Sequence, residues 1–182
     1  MEQHTIKETI PLPQGVTAAV EDMTTLVVTG KKGVVRRSFR HPKVRLTLTS
    51  AGVEFSSDLF NKAEKKVLNT FKAHVHNMCR GANEGHIYKL RICSGHFPMN
   101  VSVKPSGMEV KNFIGEAVPR TLQFKEGVSV KLDGDIITIE GVDKELTAQT
   151  AASIEKLTRR NGFDRRVFQD GIYIIEKDGK TI

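Results

Sequence analysis

The chain states one order of elements twice, and this repeat restricts its fold more than any other feature. In the first half, VTAAV (16–20) and TTLVVT (24–29) alternate with period two around the turn-like Glu21-Asp22. VRLTLTSAGVEFSS (44–57) also alternates, with Gly52 at its turn, and reads as a hairpin. Leu59, Ala63, Val67, Phe71, Val75 and Met78 then recur at spacings of three and four, which predicts a helix with one apolar stripe. Asp58 or Asn61 is placed to cap that helix and Gly81 to end it.

The second half returns to the same order. MNVSVK and MEVKNFI precede a loop, then come RTLQF and a hairpin, VSVKLDGDIITIEG (128–141), around Asp133-Gly134-Asp135. A helix is expected from about Lys144 to Arg160, with Leu146, Thr150, Ile154 and Leu157 inward, Asp143 as cap and Asn161-Gly162 as stop. Landmarks superimpose at a shift of about 81 to 85 residues: Gly30 on Gly115, Phe39 on Phe124, Gly81 on Gly162. A pattern found twice and not more often indicates a duplicated domain rather than a solenoid. One helix on one face of an antiparallel sheet is a stable two-layer arrangement. The expected class is therefore α+β, with two tandem, duplicated domains, each an antiparallel sheet packed with one main helix. They are placed at 1–84 and 85–182, with a seam near 82–95.

The 182 residues carry a net charge of +7, and 38% are hydrophobic, enough for a core. The sequence pI near 9.5 favours a polyanionic partner. Charge is uneven: residues 1–82 hold 13 Lys/Arg against 7 Asp/Glu, and 83–182 hold 15 against 14. Two cysteines argue against a disulfide scaffold and suit a reducing compartment. No apolar run approaches the roughly 18 residues of a membrane span. The polar start, MEQHTIKETIPLP, does not read as a signal peptide, so a cytosolic protein without membrane contact is expected.

Three stretches concentrate cations. TGKKGVVRRSFRHPKVR (29–45) has seven Lys/Arg and no acid from 31 to 45, and Gly30 and Gly33 bracket Lys31 and Lys32 in a tight turn. Glycine lets backbone approach a phosphate closely, and the cations, Arg36 and Arg37 included, supply attraction. The stretch is not a nucleotide P-loop, because the GxxxxGK[ST] spacing and a following helix are both missing. The plain alternative is a solvated hairpin tip that keeps an edge strand from aggregating. In EKLTRRNGFDRRVFQDGIYIIEK (155–177), Arg159 and Arg160 fall at a helix end, where cations also offset the helix dipole. Arg165 and Arg166 lie beyond any cap, read as the start of a strand, and favour RNA contact; Asp170-Gly171 signals a hairpin. Weaker than either, MEVKNFIGEAVPRTLQF (108–124) sets Lys111 and Arg120 about a Gly115 turn.

Catalytic patterns are missing: no GxSxG, no HExxH and no carboxylate pair in an apolar setting. A metal pattern is not. Within 74–96, His76-x2-Cys79 and Cys93-x2-His96 imitate half of a zinc-finger spacing. The alternative to RNA binding is thus a zinc-dependent interaction module on those four residues. Zinc held at about one equivalent through dialysis would mark it.

Several stretches together resemble ribosomal protein six of the large subunit, called protein nine in eukaryotes, in its archaeal–eukaryotic branch. They are HVHNMCRGANEGHIYKLR, HFPMNV, VKNFIGE, EGVDKELTAQTAASI and RRVFQDGIYIIEK. The family's C-terminal signature is met by Arg166, Phe168, Asp170, Gly171, Ile172, Tyr173, Ile174 and Lys177. The resemblance implies two β-sheet-plus-helix domains bound to large-subunit rRNA near the sarcin–ricin loop and the base of the factor-binding stalk. It implies neighbouring ribosomal proteins there, with no cofactor, no small-molecule substrate and no catalysis. A place in cytoplasmic ribosomes follows, with a nucleolar stage in a eukaryote. The family's Gly-rich turn corresponds to Gly30–Gly33, with Lys31 where proline is common. Lys156 and Arg160 stand where the family has a glutamine and an aliphatic residue.

The RNA-contact set expected is Lys31, Lys32, Arg36, Arg37, Lys111, Arg120, Arg159, Arg160, Arg165, Arg166 and Tyr173. Side chains read duplex RNA poorly through its deep major groove, so phosphates, shape and 2′-hydroxyls would be recognised. With no tryptophan and two tyrosines, base stacking is expected to be minor.

Overall fold

The computed structural model describes residues 6–58, 61–95, 97–164 and 166–182, the side chain of Ile6 excepted. Leu59 of the expected helix stripe, His96 of the zinc pattern and Arg165 lie outside the described residues. The chain divides into two compact units, Met1–Gly85 and His86–Ile182.

In the first unit, β1 (Ile6–Ile10), β5 (Val44–Thr49) and β6 (Gly52–Ser57) form an antiparallel sheet in the order β1-β6-β5. A second antiparallel sheet is a meander of β2 (Thr17–Glu21), β3 (Thr25–Gly30) and β4 (Gly33–Ser38). The helix α1 (Lys62–Asn83) packs on β1, β3 and β4. Strand alternation sends Val53 and Phe55 of β6 and Leu26 and Val28 of β3 into the core. The rings of Phe39, Phe55 and Phe71 form a triangle with centroids 5.1–5.4 Å apart, in tilted and edge-on geometries. Such pairs add about 0.5–1.5 kcal/mol each beyond the burial of their area.

Two details of α1 differ from expectation. Its buried side runs through Leu68, Val75, Met78, Cys79 and Ala82, while Ala63 is exposed and Val67 only half-buried. The charged Glu64 occupies the position at which the core stripe enters, a place that an apolar count overlooks. Gly81 does not end the helix but is buried inside it. The stop is Gly85, at φ +83°, whose N–H returns to the Gly81 carbonyl at 3.0 Å. At the other end, Asn61 is the cap and accepts from the Ala63 and Glu64 amides.

The second unit repeats the plan. β7 (His86–Cys93), β11 (Val128–Asp133) and β12 (Ile136–Gly141) pair in the order β11-β12-β7, as β5, β6 and β1 do. β8 (Asn100–Lys104), β9 (Gly107–Lys111) and β10 (Arg120–Gln123) form the second meander. The Phe39 and Phe124 landmarks carry the same bond: their N–H groups reach Thr24 O and Ser106 O, each just before a middle strand. This unit adds β13 (Gly171–Lys177) and β14 (Lys180–Thr181) beyond β7. The architecture is α+β, a duplicated sheet-plus-helix module.

The helix α2 (Lys144–Leu157) is capped by Asp143, as expected, but ends before Asn161-Gly162. Thr158 stops it: its hydroxyl lies within bonding range of the Glu155 carbonyl and accepts the Ile172 N–H at 2.9 Å. The Asp170-Gly171 pair makes no hairpin turn. Asp170 is buried and accepts the Gly95 N–H, while Gly171 opens β13 opposite Cys93. No helix among the described residues is long and apolar enough to cross a membrane.

The β3–β4 turn is seated on the end of α1. The Lys32 N–H donates to Ala82 O at 2.9 Å, and a Cβ on Gly30 would stand 2.5 Å from that same carbonyl oxygen. Gly30→Ala should therefore lift the tip from the helix and cost about 1–3 kcal/mol, as overpacking does. Hydrogen exchange checks this: the Lys32 amide should be protected in the parent and exchange freely in the variant.

Candidate nucleic-acid interface

Gly30 and Gly33 close a two-residue turn that presents Lys31 and Lys32, both exposed. Arg36 lies on the outward face of β4, 68% exposed, with Glu21 at 3.7 Å. Arg37, one residue on, points to the opposite face by strand alternation. There it is half-buried, with a guanidinium nitrogen 3.3 Å from Nε2 of His74 on α1.

In the second unit the expected residues fall into different environments. Lys111 is exposed at the end of β9, beside Glu109 at 3.6 Å. The following Asn112 and Ile114 adopt positive φ in the bend that leads to β10. Arg159 is exposed just past α2. Arg160 sits over the Phe163 ring at 4.1 Å and reaches within 4.0 Å of Glu116. Tyr173, 37% exposed, covers Gly171 with its ring. Arg166 belongs to a turn rather than to a strand, because Asp164 folds the backbone around itself, accepting the Arg166 N–H at 2.9 Å. The same carboxylate takes two bonds from the guanidinium, at 3.1 and 2.9 Å. These bonds hold the Asp164 carboxyl below its ordinary range and raise the Arg166 guanidinium further.

Arg120, also in the expected set, is engaged within its own unit. Four of the five N–H donors of its fork are engaged inside the unit. Nε and Nη2 bind the two oxygens of Glu116 at 2.8 and 2.7 Å, and Nη1 binds the carbonyls of Leu157 and Arg159 at 2.7 and 3.2 Å. Its guanidinium also covers Phe113 at 4.4 Å. It acts as a clamp on the end of α2. A basic residue beside a glycine turn reads as a ligand contact in sequence; nothing local reveals partners 37 and 39 residues away.

The metal pattern gains no support. His76 is exposed on α1, Cys79 is buried with its thiol pushed up by that burial, and Cys93 is a free, half-buried thiol on β7. Among the described residues, no three His, Cys, Asp or Glu side chains gather as a metal would need.

Sequence reasoning missed a cleft of about 290 Å³ beside the end of α2. It brings together Arg159, Arg160 and Tyr173 from the expected set with Lys156, Phe163 and Phe168. The run RRNGF is its one local signal, a cation pair followed closely by an aromatic.

The fold and its charges define a class: a basic, tandem α+β protein with exposed cations on both its elements and their connections. Comparison with known proteins is specific. The family model for ribosomal protein L6 matches residues 97–171. The large ribosomal subunit protein uL6 of Methanococcus vannielii is 39% identical over 177 residues, covering 97% of each chain. That of Methanospirillum hungatei is 37% identical over 173 residues, covering 95% of this chain and 98% of its own. The chain belongs to the ribosomal protein L6 family.

The Arg120 clamp sets a pH dependence. Bonding from Arg120, with the positive charges of Arg120 and Arg160, holds the Glu116 carboxyl below its ordinary value of 4.5, against the opposing effect of desolvation. A depressed folded pKa stabilises the fold fully above the unfolded value and loses that contribution as pH falls through the folded one. Stability should thus decline below about pH 4.5. Arg120→Ala should cost about 1–3 kcal/mol at pH 7 and show a shallower acid limb, as read by urea unfolding across pH.

Proposed function

We propose that the chain is a structural, rRNA-binding constituent of the large ribosomal subunit, with no chemistry of its own. Family membership over nearly the full length supports this reading. The observation that carries it is the β3–β4 tip, where two exposed lysines stand on a turn whose backbone is pinned to a helix end. A cation on a pinned turn loses less freedom on binding than one on a mobile loop, so more of its attraction to phosphate is retained.

The contact set becomes Lys31, Lys32 and Arg36 in the first unit, and Lys111, Arg159, Arg160, Arg166 and Tyr173 in the second. Arg37, held against α1, contributes to the field more than to contact, and Arg120 holds the scaffold. The site is on large-subunit rRNA near the sarcin–ricin loop and the stalk base, beside other proteins of that region. The working compartment is the cytoplasmic ribosome.

Each phosphate neutralised releases counterions, so affinity for large-subunit rRNA should fall steeply with salt. Filter binding should show the log–log slope shrinking by about 1.8 in the Lys31→Glu, Lys32→Glu double variant, since each lost contact removes about 0.9. Subunit incorporation should fall in parallel. An unchanged slope with normal incorporation would count against the assignment.

A further inference from the structure

We propose that the cleft beside the end of α2 receives one unstacked nucleotide, its base between aromatic side chains and its phosphate at the cationic rim. This deepens, and rests on, the rRNA-binding reading, because it names what one part of that surface holds.

The walls are apolar and aromatic. Phe163 is 36% exposed and meets Phe168 edge-on, with centroids 5.1 Å apart at 85°. Tyr173, also partly exposed, and the nearly fully buried Ile172 line the same cleft. Exposed rings gathered at one concavity leave hydrophobic surface unburied, which is costly unless something covers it. A phosphate alone would gain nothing from such walls, whereas a base can stack on them.

The lining is also charged. Lys156, Arg159 and Arg160 contribute three cations to the lining. Arg160, held over Phe163, offers a guanidinium plane, a surface on which unstacked RNA bases stack. The two lining carboxylates accept backbone amides: Glu155 takes the Ile174 N–H at 3.2 Å, and Asp170 takes that of Gly95. Those bonds orient the carboxylates without cancelling their charge, so three cations against two carboxylates leave the lining one positive charge in excess, with Arg160 also 4.0 Å from Glu116. The volume, about 290 Å³, stands at the small end of ligand pockets, which run from about 300 to 1,000 Å³. It suits one nucleoside and excludes a helix. Sequence reasoning, which sees phenylalanines chiefly as core residues, could not anticipate rings left at a rim.

The test titrates the labelled full chain with adenosine monophosphate, ribose 5-phosphate and inorganic phosphate while following ring and side-chain resonances. Adenosine monophosphate should shift the rings of Phe163 and Tyr173 saturably, and the two base-free probes should not. Phe163→Leu and Tyr173→Leu, both at partly exposed positions, should each weaken that binding at least about five-fold, as loss of base stacking does. Unchanged melting of these variants excludes a folding artefact. Equal ring shifts with ribose 5-phosphate would reduce the cleft to a phosphate site and overturn the proposal. So would ring resonances that stay still in a protein that binds large-subunit rRNA, an outcome that leaves the rRNA reading intact. Failure to bind rRNA while the nucleotide still shifts the rings would instead sink that reading alone.

Discussion

The last carbonyls of an α-helix have no partner within it and carry the negative end of its dipole. In each unit of this protein a group at the edge of the small sheet supplies the missing donor. In the first, the Lys32 N–H meets Ala82 O; in the second, the Arg120 guanidinium meets Leu157 O and Arg159 O. The two solutions differ in chemistry and lie at corresponding places: the turn between the middle and third strands in the first unit, and the first residue of the third strand in the second. Everything proposed about binding depends on this constraint, because it decides which cations are consumed by the fold and which are left outside it. Backbone donation in the first unit leaves both lysine side chains outward. Side-chain donation in the second turns the arginine inward.

That difference explains how a duplicated module comes to present unlike surfaces. The first unit offers a compact tip with two lysines and no acid. The second has a cation cluster after α2, where Arg166 is shared with Asp164 and Arg160 lies on Phe163. Point charges on a rigid tip suit phosphates of any sequence, and a cleft with rings suits an irregular, unpaired nucleotide. Folded RNA displays both, and its recognition depends on shape, backbone and splayed bases more than on paired edges.

Much of this was legible from alternation, caps and glycines. Hairpins at 44–57 and 128–141, the Asp143 cap and the repeat itself depend on local patterns, and local patterns survive in a single sequence. What failed was nonlocal. Gly81 resembles a helix stop until Gly85 supplies the left-handed turn, and Glu64 hides the true phase of the α1 stripe. Asp170-Gly171 has the chemistry of a hairpin turn, yet Asp170 accepts an amide 75 residues away and Gly171 pairs with β7. Thr158 ends α2 through a bond to β13 that no window around it contains. Among the candidate residues, the exposure of the lysine pair on its glycine turn was legible locally. The engagement of Arg120 was not, since its partners are carbonyls contributed from another element.

The proposed RNA contacts concentrate in two stretches of chain, the 30–33 turn and the segment from 158 to 170. Ultraviolet crosslinking of large subunits containing this chain, with the adducts mapped by mass spectrometry, tests that claim most directly. Nucleotide adducts from large-subunit rRNA should fall on peptides holding Lys31 and Lys32 and on peptides from the 158–170 segment. Adducts confined to other exposed lysines, such as Lys131 or Lys180, with both stretches unmodified, would contradict it.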